Sequence, residues 1–74
     1  MPAGLSRRQA EVVTGIVEGC SNTEIGERLF TSPRTISKHV EHILVKLGVP
    51  NRSSVTRMAM IDGLYLLGHP AFSR

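Results

Sequence analysis

The feature that most constrains this chain is how often it signals the start of a helix. Ser6-Arg7-Arg8-Gln9 and Ser21-Asn22-Thr23-Glu24 are both capping boxes. In each, the serine hydroxyl can accept from the amide three residues on, while the Gln or Glu there reaches back to the serine N–H. Ser32-Pro33 follows, an N-cap with proline at the first helical position, where a missing N–H costs nothing. Starts so closely spaced leave room only for short helices, and alternation with period two never persists long enough for a strand. The pattern predicts an all-α fold.

The first helix is expected from Arg7 to about Glu18, with Ala10, Val13 and Val17 on its apolar face, Val12 and Ile16 beside them, and Gly19 ending it. The second runs from Asn22 to about Leu29 and sets Ile25 and Leu29 on one face. Gly26 sacrifices about 1 kcal/mol of helix propensity relative to alanine, which marks a place where another backbone must come close. From Pro33 the apolar residues Ile36, Val40, Ile43, Leu44 and Leu47 follow helical spacing until Gly48. At about 100° per residue, Arg34, Lys38, Glu41 and Val45 then face away from the core, with Ser37 on one edge and Thr35, His42 and Lys46 on the other. After Val49-Pro50, Asn51 is placed to cap a fourth helix from Arg52 to about Asp62, before Gly63, with Val55 and Ala59 turned inward. Its other side carries Ser53, Arg57, Met60 and Leu64, with Ile61 near the edge, and an apolar stripe that a small core cannot cover points to a partner.

Composition narrows the functions open to such a bundle. Seventy-four residues make one domain, which buries only roughly 60% of the surface its unfolded chain exposes and has no room for a deep enzyme cleft. With 41% hydrophobic and 20% charged residues it has the makings of a folded domain. Cys20 is the sole cysteine, so no internal disulfide forms, and a reducing, cytoplasmic setting is expected. His39 and His42 stand three apart, but without a second ligand pair they make no zinc set, so neither metal nor cofactor is expected. No apolar run approaches membrane-spanning length, and no segment has the form of a secretory signal. The formal net charge is +3, and it is unevenly spread. Arg34, Lys38, Lys46, Arg52 and Arg57 lie between positions 33 and 57 against Glu41 alone, whereas the first 32 residues carry more acid than base. A polyanion is the partner this distribution suits.

Two helices joined by the few residues around Phe30-Thr31-Ser32, the second longer and basic on its outer face, form a helix-turn-helix pattern. The DNA major groove is about 12 Å wide and admits one helix, whose outward side chains reach base edges while amides and hydroxyls near helix starts meet phosphate. Ser32, Thr35, Ser37 and Lys38 suit those tasks. The alternative is a protein-interaction or dimerisation module in which the fourth-helix stripe docks a partner and the basic face is merely solvated.

Three blocks carry a resemblance to a known family: L-S-R-R-Q-A-E-V-V from Leu5, E-G-C-S-N-T-E-I-G from Glu18, and S-P-R-T-I-S-K-H-V-E-H-I-L-V-K-L-G-V from Ser32, followed by Asn51-Arg52. Together they resemble the LuxR-type helix-turn-helix family of bacterial transcription regulators, over Leu5 to about Leu64. The resemblance implies a four-helix domain, a tri-helical core plus a dimerisation helix. Residues 1–4 would be a linker, 5–64 the domain and 65–74 a tail. Such a domain generally ends a longer regulator with an N-terminal sensory or regulatory part, and it binds a two-fold operator in double-stranded DNA as a homodimer. The implied recognition helix is 33–47, with Ser37, Lys38 and Glu41 at base-reading positions and Arg34 on the same outward face. Phosphate contacts are expected from Asn22, Thr23, Ser32, Thr35, His42, Lys46 and Arg52. Ser53, Arg57, Met60, Ile61 and Leu64 would serve the dimer contact. Three departures matter: Ser37 stands where the family most often has Lys, Glu41 where a basic or amide residue is frequent, and Gln9 where Glu is usual. The operator is therefore not transferable, and a charged pair at Gln9 is not implied.

Overall fold

The computed structural model describes residues 4–62, which form four helices with no strand among them: α1 (Arg7–Val17), α2 (Asn22–Leu29), α3 (Pro33–Leu47) and α4 (Arg52–Asp62). Gly63, Leu64 and the expected tail lie outside the described residues, as do the first three residues of the expected linker. Both capping boxes are formed. Gln9 donates its N–H to Ser6 Oγ at 3.1 Å and accepts from the Ser6 N–H at 3.0 Å through Oε1. Glu24 and Ser21 exchange the same pair of bonds at 3.1 and 2.8 Å. At α3 the Thr35 N–H donates to Ser32 Oγ at 3.1 Å, and at α4 the Ser54 N–H donates to Asn51 Oδ1 at 2.9 Å. Each of these bonds satisfies an amide that a helix start leaves without an internal partner.

Helix ends follow the sequence less closely. The first helix stops at Val17, one residue earlier than expected, because Glu18 serves as its C-cap. Gly48 closes α3 in the left-handed region at φ 67°. The residue closing α2 is Phe30, at φ 59° and ψ 45°, a conformation uncommon for a residue with a Cβ. Its neighbour explains why it is held there. The Thr31 N–H donates to the Gly26 carbonyl at 2.8 Å, which folds the chain back over the last turn of α2. That return is possible only because position 26 lacks a side chain, since a Cβ there would lie 2.5 Å from the Thr31 carbonyl oxygen. The close approach expected at Gly26 is thus the helix-turn-helix corner itself. A second one falls at Gly15, where a Cβ would meet Ile25 Cγ1 at 2.7 Å.

The third helix is the centre of the domain, packed against α1, α2 and α4, while α1 also lies along α4. Leu5, Val12, Val13 and Ile16 from the first part of the chain meet Ile25, then Ile36, Val40, Ile43 and Leu47 from α3, and Val55 and Ala59 from α4. Val17, Leu29 and Leu44, expected inside, are partly buried at the edge of this cluster. Full burial of one such aliphatic side chain contributes about 1.5–3 kcal/mol, so the inward face of α3 holds its outward face in place. No described helix is long and apolar enough to cross a membrane.

Candidate nucleic-acid interface

With Ile36, Val40, Ile43 and Leu47 locked inside, α3 has only one rotational setting, and Arg34, Lys38, Glu41 and Val45 are exposed on its far side. Neither Arg34 nor Lys38 pairs with a carboxylate among the described residues, whose ion pairs are Arg8–Glu11 and Arg28–Glu18. Their charge is therefore directed to solvent. Ser37 is half-buried at the edge of this face, while His42 and Thr35 are exposed. The Ser32 hydroxyl donates to Thr35 Oγ1 at 3.1 Å while accepting from the Thr35 N–H, so the two hydroxyls at the α3 start are held together.

Two cations expected at phosphate have partners within the chain. Lys46 Nζ donates to Gln9 Oε1 at 2.9 Å and to the Gly4 carbonyl at 3.1 Å, which ties the end of α3 to the entry of α1. Gln9 thereby keeps a bond to lysine that is charge-assisted on one side only. Arg52 donates through Nη1 to Asn22 Oδ1 at 2.5 Å and through Nη2 to the Cys20 carbonyl at 2.6 Å. It binds the first residue of α4 to the first residue of α2. Asn22 is half-buried and Thr23 exposed, and their main-chain N–H groups belong to the first turn of α2, where no helical acceptor exists.

The fourth helix keeps Ser53, Arg57, Met60 and Ile61 exposed, the last two at 69% and 73%. Cys20 is half-buried against the core, with Arg28 Nη2 3.4 Å from its sulfur. The hydrogen bond to Glu18, followed by the nearby Cys20, raises the Arg28 guanidinium above its ordinary value.

Residues 3–59 match the family model described as bacterial regulatory proteins, luxR family. The chain belongs to the luxR family of bacterial regulatory proteins. A Mycobacterium tuberculosis protein named as an HTH-type transcriptional regulator is 46% identical to it over 48 residues, which are 65% of this chain and 5% of that protein. The oxygen regulatory protein NreC of Staphylococcus aureus is 38% identical over 56 residues, 76% of this chain and 26% of NreC. The chain thus spans about a quarter of one relative and a twentieth of the other. In this luxR-family domain, sequence reasoning missed the internal roles of Lys46 and Arg52. No local signal could have shown them, because their partners stand 37 and 30 residues away.

Proposed function

We propose that this luxR-family chain is the DNA-reading module of a cytoplasmic transcription regulator, with α3 seated in the major groove of double-stranded DNA. The observation that carries the reading is the face of α3: Arg34 and Lys38, without an ion-pair partner among the described residues, stand beside Glu41 on a helix whose opposite side is locked into the core. Unpaired cations keep their full charge for a polyanion, and a helix that cannot rotate presents them in fixed register. In this reading Arg34, Ser37, Lys38 and Glu41 meet base edges. Ser32, Thr35, His42 and the α2 start at Asn22 and Thr23 meet phosphate. Lys46 and Arg52 hold the frame, and each reaches phosphate only where its remaining N–H groups stay open.

The exposed Met60 and Ile61, with Ser53 and Arg57, support α4 as the contact with a second copy. One helix face buries far less than the roughly 800 Å² per partner of a standard interface. The isolated domain is therefore expected to be monomeric and to pair on a two-fold operator. The relatives' much greater length supports a sensory or regulatory part elsewhere in the parent protein.

A backbone-amide NMR titration with a short mixed-sequence duplex at low salt tests the proposal. Shifts concentrated at residues 32–46 and around Asn22, weakening steeply as salt rises, are expected. An unmoved α3, with α4 signals broadened by self-association, would reject DNA reading in favour of an interaction module.

A further inference from the structure

Val45 is the apolar member of the outward face of α3 and is 81% exposed. Folding does not account for it. A β-branched residue loses rotamer freedom in a helix, and any straight-chain polar residue at a solvent-facing position would serve the helix better. Packing does not account for it either, since at 81% exposure no neighbour, Glu41 and His42 one turn earlier included, covers the side chain.

Its position is in line with Lys38 and Glu41, seven and four residues earlier on the same face. At 1.5 Å per residue, Val45 lies about 10 Å beyond Lys38 along the helix, a span of at most about three base-pair steps at 3.4 Å each. Among the groups that base pairs present in the major groove, the donors and acceptors suit Lys38 and Glu41, and one group is apolar: the C5-methyl of thymine. Resting on the proposal that α3 lies in the major groove, we propose that Val45 is a specificity-determining residue that reads a thymine methyl group. It packs against that methyl a few base pairs from the pair contacted by Lys38.

Duplexes selected by the 74-residue chain from a randomised pool supply the probe. Each thymidine of the selected site is then replaced singly by deoxyuridine, which removes the methyl and leaves every hydrogen-bonding group in place. The wild-type chain is expected to lose affinity about fourfold at one thymidine per half-site, the factor that burying one methyl group carries. In Val45→Ala that penalty should disappear while the effect of exchanging the Lys38-contacted pair persists. The melting temperature of the variant should not fall, as it would if the valine served the fold. A uridine that is neutral at every position in the wild type, or a penalty that survives Val45→Ala, overturns the assignment and leaves groove binding intact. A pool from which no sequence is enriched overturns base reading by α3, and this assignment with it.

Discussion

Replacing Gly26 with alanine sets two physical effects of opposite sign against each other. Helix propensity alone favours the change by about 1 kcal/mol, since Gly26 lies inside α2. The added Cβ, however, would stand 2.5 Å from the Thr31 carbonyl oxygen and 3.4 Å from Pro33 N and Ser32 C. Carbon–oxygen contacts settle at about 3.3 Å or more, so the Thr31 carbonyl must retreat by about 0.8 Å. It belongs to backbone that cannot follow freely. The Thr31 N–H is bonded to the Gly26 carbonyl at 2.8 Å, and the next residue, Ser32, caps α3. Loosening that bond costs about 1 kcal/mol and overpacking typically about 1–3 kcal/mol. After the propensity gain, a net loss of about 1–3 kcal/mol remains. For a domain of this size that is a fall in Tm of roughly 5–20 °C, out of a total stability on the order of 4–11 kcal/mol. Thermal and urea melts followed by circular dichroism measure it, with an unchanged urea slope showing that the unfolded state is not what moved. A Gly26→Ala protein that melts at or above the wild-type temperature would refute the reasoning.

Other changes test separate parts of the account. Lys38→Ala removes an exposed cation that has no ion-pair partner among the described residues, so stability should stay within about 0.5 kcal/mol while binding to a selected duplex weakens by about 1–3 kcal/mol. Unchanged affinity and site preference in an anisotropy titration would dismiss Lys38 as a base contact. Arg52→Met deletes the bonds to Asn22 and the Cys20 carbonyl and should cost about 1.5–3 kcal/mol in urea denaturation, whereas a loss below about 0.5 kcal/mol would mean that the clamp is energetically idle. Gln9→Glu turns the Lys46 contact into an ion pair between a buried position and an exposed lysine and should add about 0.5–1 kcal/mol at neutral pH. The Lys46 ammonium would depress the new carboxyl in the folded state below its unfolded value of about 4.3. The gain is thus complete above that pH and lost as pH falls through the folded value. A gain that persists at pH 2 would show that charge is not its source.

Much of the fold was legible because its determinants are local. Ser6, Ser21, Ser32 and Asn51 each act within three residues, so the four helix starts could be read in place. The inward residues of α3 follow from periodicity, and once they are assigned the outward face of Arg34, Lys38, Glu41 and Val45 follows by rotation. Gly26 was legible as a close approach because glycine inside a helix is costly. Gly15 carries the same cost, but the partner that demands it, Ile25, belongs to another helix. Phe30 offered no signal as a left-handed cap, because its conformation is imposed by the return of Thr31 to Gly26 and not by any preference of phenylalanine. Charge and position point Lys46 and Arg52 toward phosphate. Their internal acceptors depend on how α1, α2 and α4 assemble around α3, and no spacing rule encodes that.

The Arg52 clamp has a mechanical consequence. One guanidinium grips both the side chain of Asn22 and the carbonyl of Cys20, so the head of α4 is stapled to the head of α2 at two points and cannot swivel about either. Lys46 makes a similar staple between the tail of α3 and the strand of chain entering α1. A displacement of the head of α4 relative to the head of α2 must therefore break or stretch the bonds of the Arg52 guanidinium, and one of the tail of α3 relative to the entry of α1 must do the same to those of Lys46. The two cations join parts of the chain that lie far apart in sequence, as a pair of rivets joins separate plates.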